Sequence, residues 1–195
     1  MGLIAKSGGK GFDPLPEAVY NAVCFWVIDL GTQLSTKFGT KAHKILIGWE
    51  CPAERISVEK DGVKMDLPRM ISQKYTLSLN EKANLRRDLQ SWRGRVFTEQ
   101  ELEGFDIKNV LGKSCMIQVI HNKSEEKTYA NIAAIMPLMK GTAPLTPENP
   151  TVFYSIEDHG DQIPAGVPDW VRDEIKVSDE WQTFKPAEEA HPPAT

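Results

Sequence analysis

The sequence predicts a mainly β protein: a small antiparallel β-barrel with one inserted helix and an acidic C-terminal extension. Three observations carry this. Much of the first 140 residues falls into segments with the two-residue alternation of strands. One stretch, from Ser78 to Gly94, switches to the spacing of an amphipathic helix. Strands and helices do not alternate, which argues against a doubly wound parallel sheet. The five or six strands also fit a β-sandwich, because strand order cannot be read from one chain.

Taken in order, the Gly- and Lys-rich residues 1–15 read as a flexible basic arm, and the barrel domain spans 16–140. "VYNAVCFWVIDL" (19–30) is a strand with Val19, Val23, Phe25 and Val27 on one face and Tyr20, Cys24, Trp26 and Ile28 on the other. Apolar on both faces, it is either buried or lends one face to a ligand. The turn-rich "GTQLSTKFGTKA" (31–42) separates it from "HKILIGWE" (43–50), where Ile45, Ile47 and Trp49 alternate. Asp61-Gly62 in "ISVEKDGVKM" is a strong hairpin turn signal, and Pro68 opens the strand-like "PRMISQKYTLSL". Ser78 stands three residues before Glu81, a capping-box pattern, and Leu85, Leu89 and Trp92 follow at helical spacing until Gly94. Thr98 and Glu101 repeat the pattern for a second short helix in "TEQELEGF". "GKSCMIQVIHN" and "TYANIAAIMPL" are two further strands around the charged turn "KSEEK". Proline density rises after Leu138, which sets a boundary near 140. Residues 141–195 then form an acidic, Pro-rich extension with a short helix over 168–184 carrying Trp170, Ile175 and Trp181.

Composition narrows the function classes. No apolar run approaches the roughly 20 residues of a membrane span, so no membrane partner is expected. The start of the chain has no apolar core of signal-peptide length. Three widely spaced cysteines (Cys24, Cys51, Cys115) suit a reduced compartment better than a disulfide framework. The net charge of −4 hides a segregation: residues 1–140 carry 20 Lys+Arg against 16 Asp+Glu, and residues 141–195 carry 3 against 11.

Catalytic and metal signatures are missing from the sequence. The four histidines sit on separate segments without CxxC, HxxxH or HExxH spacing. "GGKGF" lacks phosphate-loop spacing, no GxSxG elbow exists, and Cys24 and Cys115 lie in apolar strands that disfavour a thiolate. The acidic "IEDHGD" lies in a loop bounded by Pro and Gly rather than on rigid elements that could hold a cation. The expectation is a non-enzymatic protein with no catalytic residue, no metal ligand and no cofactor.

One stretch does carry chemistry. "KYTLSLNEKANLRRDLQSWRGRVF" (74–97) holds Lys74, Lys82, Arg86, Arg87, Arg93 and Arg95 against Glu81 and Asp88. Lys82, Arg86 and Arg93 fall on one helical stripe, suited to tracking a phosphate backbone. Tyr75, Trp92 and Phe97 are available to stack on bases, as is Trp49 on its strand, and a guanidinium beside an aromatic ring suits the same ligand. The acidic extension supplies a competitor for such a basic surface.

With these residues in view, the chain resembles a family of small bacteriophage and prophage single-stranded-DNA-binding proteins of OB-fold type. The resemblance rests on "ILIGWE" (45–50), "KYTLSL" (74–79), "WRGRVF" (92–97), "TYANIAAIMPL" (128–138) and "PENP" (147–150). It implies a protein of phage replication or recombination in the host cytoplasm and implicates Lys74, Tyr75, Trp92, Arg93 and Arg95. The chain departs from bacterial single-strand binders in ending "EEAHPPAT" rather than in an acidic tip closed by Phe, which places recruitment of replication partners by that route in doubt.

The sequence therefore points to a single-stranded-DNA-binding protein, with RNA as the second candidate ligand. Lys74, Lys82, Arg86, Arg87, Arg93 and Arg95 neutralise phosphates, and Tyr75, Trp92 and Trp49 stack on bases. Replication or recombination proteins would meet the acidic tail, and self-association is compatible with the pattern. Two alternatives stand beside it: a protein-interaction or virion structural module packed through Trp170 and Trp181, and a phage inhibitor of a host nucleic-acid enzyme using the acidic segment as a charge mimic. A hydrolase with an unrecognised site is a third.

Overall fold

Apolar alternation builds the first five strands, and a computed structural model describes residues 13–35, 39–60, 62–124 and 127–184. The strands are β1 (Ala18–Leu34), β2 (Lys41–Lys60), β3 (Val63–Thr76), β4 (Ser114–Lys123) and β5 (Thr128–Met136), followed by a short β6 (Val152–Tyr154). Helices α1 (Asn84–Arg93) and α2 (Glu99–Glu103) and a 3-10 turn at Ile107–Val110 fall between β3 and β4, and α3 (Ile156–His159), α4 (Asp169–Lys176) and α5 (Asp179–Phe184) follow β6. The molecule is mainly β, as expected. Residues 1–12 of the expected arm, residues 36–38 of the turn-rich loop, Asp61 of the hairpin turn, residues 125–126 and residues 185–195 lie outside the described residues.

One antiparallel sheet runs β3-β2-β1-β4-β5, and β6 adds parallel to β1. β2 follows one edge of β1 from Val23 to Leu34; the other edge is shared by β4 along Ala18–Val23 and β6 along Trp26–Ile28. β3 and β5 approach one another but share no ladder, so the sheet curls without closing. Pro68 lies inside β3 opposite Arg55, beside a register shift in β2; β3 is an edge strand, where the missing N–H is tolerated. The β2–β3 hairpin turns where Asp61-Gly62 directs, with Gly62 at φ 78°.

The strict alternation expected along β1 breaks at a bulge between Cys24 and Trp26. Tyr20, Ala22, Cys24 and Val27 face the concave side, whereas Phe25, Trp26, Ile28 and Leu30 face the convex side. The concave core gathers Ile45, Ile47, Trp49, Tyr75 and Ile117 and is capped by Leu85, Leu89 and Trp92 of α1, which lies across β5 and β3. α1 starts later than expected. Ser78 Oγ accepts from the Asn80 N–H instead of forming a capping box, and the helix begins at Asn84 without a side-chain cap. It ends at Gly94 in the left-handed conformation, as its sequence predicts. The Thr98–Glu101 capping box of α2 is formed.

The composition break near 140 does not divide two structural units. β6 is hydrogen-bonded to β1, and Tyr154, Ile156, Val171, Ile175 and Trp181 form a second core on the convex face with Phe25, Ile28 and Leu46. Glu50, fully buried, accepts from the amides of Glu148 (2.7 Å) and Asn149 (3.0 Å) and from Asn149 Nδ2 (2.6 Å). The prolines of this segment stiffen a strap rather than release a tail. The expected helix over 168–184 is two helices, with the fully buried Ser178 capping α5 through its Oγ at 3.2 Å from the Trp181 N–H. Among the described residues no helix is long and apolar enough to cross a membrane.

A second bulge, at Asp29–Gly31, sets Gly31 at φ 67° beneath α5. A Cβ there would stand 2.6 Å from Ser178 Cβ. Gly31→Ala is expected to cost roughly 2–4 kcal/mol through left-handed strain and overpacking. Thermal unfolding followed by circular dichroism checks this, at about 2–4 °C per kcal/mol for a chain of this size.

Candidate nucleic-acid interface

The structure seals the three rings expected to stack on bases inside the concave core. Trp49 is fully buried, Tyr75 is 3% exposed and Trp92 is 6% exposed. The Trp49 and Trp92 rings lie 5.7 Å apart, and the Trp92 indole N–H donates to the Ser114 carbonyl at 3.0 Å. Tyr75 donates to Asp88 Oδ2 at 3.0 Å, and burial, followed by the charge of Asp88, pushes its phenol well above the ordinary range. These positions continue the apolar pattern of strand and helix, and that pattern outweighs their aromatic chemistry. In this conformation none of the three offers a face to a base.

The cations of the stretch do not form one stripe. Lys82 precedes α1 and is exposed, while Arg86 folds back on Gln90 and the Leu79 carbonyl. Arg87 pairs with Asp88 at 2.9 Å, and Lys74 with Glu174 of α4 at 2.5 Å. Arg93 and Arg95 both bind Glu101, whose carboxyl is held down to about 2 by Arg95, the Thr98 amide and Arg93. Arg93, Arg95 and the edge of Trp92 do meet, at a pocket described below.

A different aromatic surface lies on the convex face. Trp170 is half exposed, whereas Trp26, Trp49, Trp92 and Trp181 are buried. It stands at the mouth of a slot of about 210 Å³ walled by Phe25, Trp26, Met70 and Pro168 and floored by Ile71 and Ser72 of β3. Gly48 lets the Trp26 and Phe25 rings approach the sheet closely: a Cβ there would meet Trp26 Cβ at 3.0 Å. Lys74 Nζ lies 5.8 Å from the Trp170 ring centre, and Lys44 reaches Thr76 Oγ1 at 2.6 Å, so two lysines extend the slot along β2 and β3. Of the expected residues only Lys74 belongs here. The sequence signal for Trp170 was its place on α4: Val171 and Ile175 take the buried stripe and leave the preceding ring outside it.

The acidic helices dock on this face through charge as well as apolar contact. Lys41 meets Asp179 at 2.7 Å. His43 Nε2 lies 2.7 Å from Asp29 Oδ1 and Nδ1 3.5 Å from Glu180 Oε1, and Glu180 accepts from the Thr32 N–H and hydroxyl, both at 2.6 Å. Asp29 also accepts from the Ile156 N–H at 3.1 Å, joining β1 to α3. The Asp29 hydrogen bond raises His43 above its ordinary 6.5, against a smaller effect of burial. Burial pushes Asp29 up, yet His43 and the Gly31 and Ile156 amides together hold it below 3.8. All three cysteines are buried free thiols, burial pushing Cys51 up to about 12. Among the described residues no group of three His, Cys, Asp or Glu comes together as a metal site would need.

Compared with known proteins, the chain matches no family model, no curated protein and no solved structure.

The His43 contacts fix a pH dependence. A raised histidine stabilises fully below its unfolded value of 6.5 and loses that contribution as pH rises through the folded value. The lowered Asp29 stabilises above 3.8 and loses its contribution as pH falls. The unfolding midpoint is therefore expected to decline from pH 6 to pH 8, and His43→Ala to flatten that decline. Thermal melts of both proteins across this range test it.

Proposed function

We propose that the protein is a non-enzymatic binder of single-stranded nucleic acid, with the strand running over the convex face of β2 and β3. The observation that carries the reading is the slot between Trp26 and Trp170, with Lys74 and Lys44 along its rim. A flat base can stack on the half-exposed Trp170 ring at the mouth of this slot, and base–aromatic stacking of this kind contributes about 1–3 kcal/mol per base whatever the sequence. The strand order β3-β2-β1-β4-β5, with helices between β3 and β4, is compatible with the OB-type reading although the sheet does not close, and OB barrels bind oligonucleotides on the face of strands 2 and 3. Stacking is reassigned from Tyr75, Trp92 and Trp49 to Trp170; phosphate neutralisation centres on Lys44, joined by Lys74 when a phosphate displaces its Glu174 partner, with the exposed Lys82 and the Asp88-paired Arg87 further out. A role in phage replication or recombination in the host cytoplasm belongs to the same reading.

A second reading, a protein-interaction module, has one observation in its favour. A groove of about 610 Å³ follows the open seam between the β2–β3 hairpin and the start of β5, where Tyr129 and Met70 are exposed. Sedimentation that shows a stable oligomer, in a protein indifferent to oligonucleotides, favours it.

Fluorescence anisotropy with labelled oligo-dT, oligo-rU and duplex, over a range of salt, decides between them. Oligo-dT should bind more tightly than duplex and quench tryptophan emission, with log affinity falling against log salt. Trp170→Ala should weaken oligo-dT binding by about 1–3 kcal/mol and remove most of the quenching. Lys44→Ala with Lys74→Ala should flatten the salt slope by roughly 0.7 per lost phosphate contact. Absence of oligo-dT binding, or full affinity in Trp170→Ala, overturns the assignment.

A further inference from the structure

A pocket of about 550 Å³ opens beside α2, far along the chain from the Trp170 slot, where the end of α1, the 3-10 turn, the start of β4 and Pro137–Leu138 converge. Its charge is unbalanced. Arg93, Arg95 and Lys113 line it against a single lining carboxylate, Glu101, a local excess of two positive charges. Arg95 reaches Glu101 through both terminal nitrogens, at 2.9 and 2.7 Å, and Arg93 Nη2 donates to the same carboxylate. Lys113 makes no ion pair among the described residues.

Arg93 is the fixed point. Its guanidinium lies 4.4 Å from the Phe97 ring centre and 5.1 Å from that of Phe105, the two rings themselves meeting edge to face at 5.2 Å. Held between rings, a guanidinium is oriented before any ligand arrives. Its Nη1 has no acceptor and is closed off from solvent, so it adds uncompensated positive charge behind the pocket wall rather than a hydrogen bond to a ligand. Glu101 cannot turn to serve that nitrogen, because its Oε2 already accepts from the Thr98 N–H at 3.0 Å to start α2.

We infer that this pocket binds the phosphate monoester of a nucleotide, either a free mononucleotide or the terminal nucleotide of a strand. A monoester carries nearly two negative charges at neutral pH and balances the excess, whereas a backbone diester carries one. The volume exceeds what phosphate alone needs. Phe105, Pro137 and Leu138 provide an apolar wall for a flat base, and Asn109 provides an amide for its edge. The strand-end source rests on the proposed single-strand binding; the free-nucleotide source does not.

Calorimetric titration of the full chain tests this with dTMP, thymidine and inorganic phosphate, then with oligo-dT bearing a 5′-phosphate, a 3′-phosphate or neither. The expected result is dTMP binding at least tenfold more tightly than thymidine or inorganic phosphate. A similar gain from a terminal phosphate on oligo-dT identifies the strand end as a source; a gain confined to dTMP identifies the free nucleotide. Arg95→Ala with Lys113→Ala should abolish the discrimination without changing thermal unfolding appreciably. Glu101→Gln keeps a capping residue and removes the competing charge, so it should tighten dTMP severalfold, a gain that misfolding cannot produce. Trp170→Ala should lose oligo-dT affinity and keep the phosphate discrimination, which separates failure of the slot from failure of the pocket. The inference is overturned if a phosphate confers no preference on either ligand, if inorganic phosphate binds as tightly as dTMP, or if the preference survives Arg95→Ala with Lys113→Ala.

Discussion

The molecule depends on β1 being buried on both faces and on the first of its two register slips, between Cys24 and Trp26. Before the slip its inward side chains serve the concave core; after it, Phe25 and Trp26 are both committed to the convex side, with Val27 alone returning inward nearby. A strand this apolar on two sides needs two covers. α1 helps to supply one, and the segment from β6 to α5 supplies the other. The same slip lays two aromatic rings over Gly48, which creates the slot that Trp170 finishes.

Charge segregation along the chain follows from this layering. Lys74 with Glu174, Lys41 with Asp179 and Arg55 with Glu148 join the basic body to the acidic segment. Exposed pairs of this kind contribute about 0–1 kcal/mol each, whereas burying a Val, Ile or Leu contributes roughly 1.5–3. Val171, Ile175 and Trp181 therefore hold the cover down, and the ion pairs select how it sits. Three of the carboxylates that looked like a free competitor for a polyanion, Glu148, Glu174 and Asp179, are docking partners for the protein's own Arg55, Lys74 and Lys41.

Much of the architecture was legible. Period-two alternation located the first five strands but not β6, Asp61-Gly62 located the hairpin, Gly94 the end of α1 and Thr98–Glu101 the start of α2. The β1 slip was not legible, since a bulge changes which side chains share a face without changing composition. The proline-rich break at 140 marks a change of composition rather than of core, since β6 pairs with β1 and α4 packs on it. Ring chemistry at Tyr75 and Trp92 misled for a different reason: a buried aromatic and a stacking aromatic are the same residue, and only spacing against Leu85, Leu89 and Ile71 tells them apart. Pairing of Arg93 and Arg95 with Glu101 depends on a turn between α1 and α2 that no local pattern announces. Two separated segments proved to be in contact, as the glutamate of "ILIGWE" holds the backbone of "PENP".

That buried glutamate also orders events in time. Its amide donors lie 98 and 99 residues further along the chain, and β6 must reach back to β1 over a still longer span. Emerging from a ribosome at roughly 5–20 residues per second, β2 waits on the order of 5–20 s for the segment that satisfies Glu50. During that interval the carboxylate keeps its hydration, and the convex face of the nascent sheet stays wet. The concave half can condense early from nearer contacts, while the outer layer is necessarily the last to be sealed.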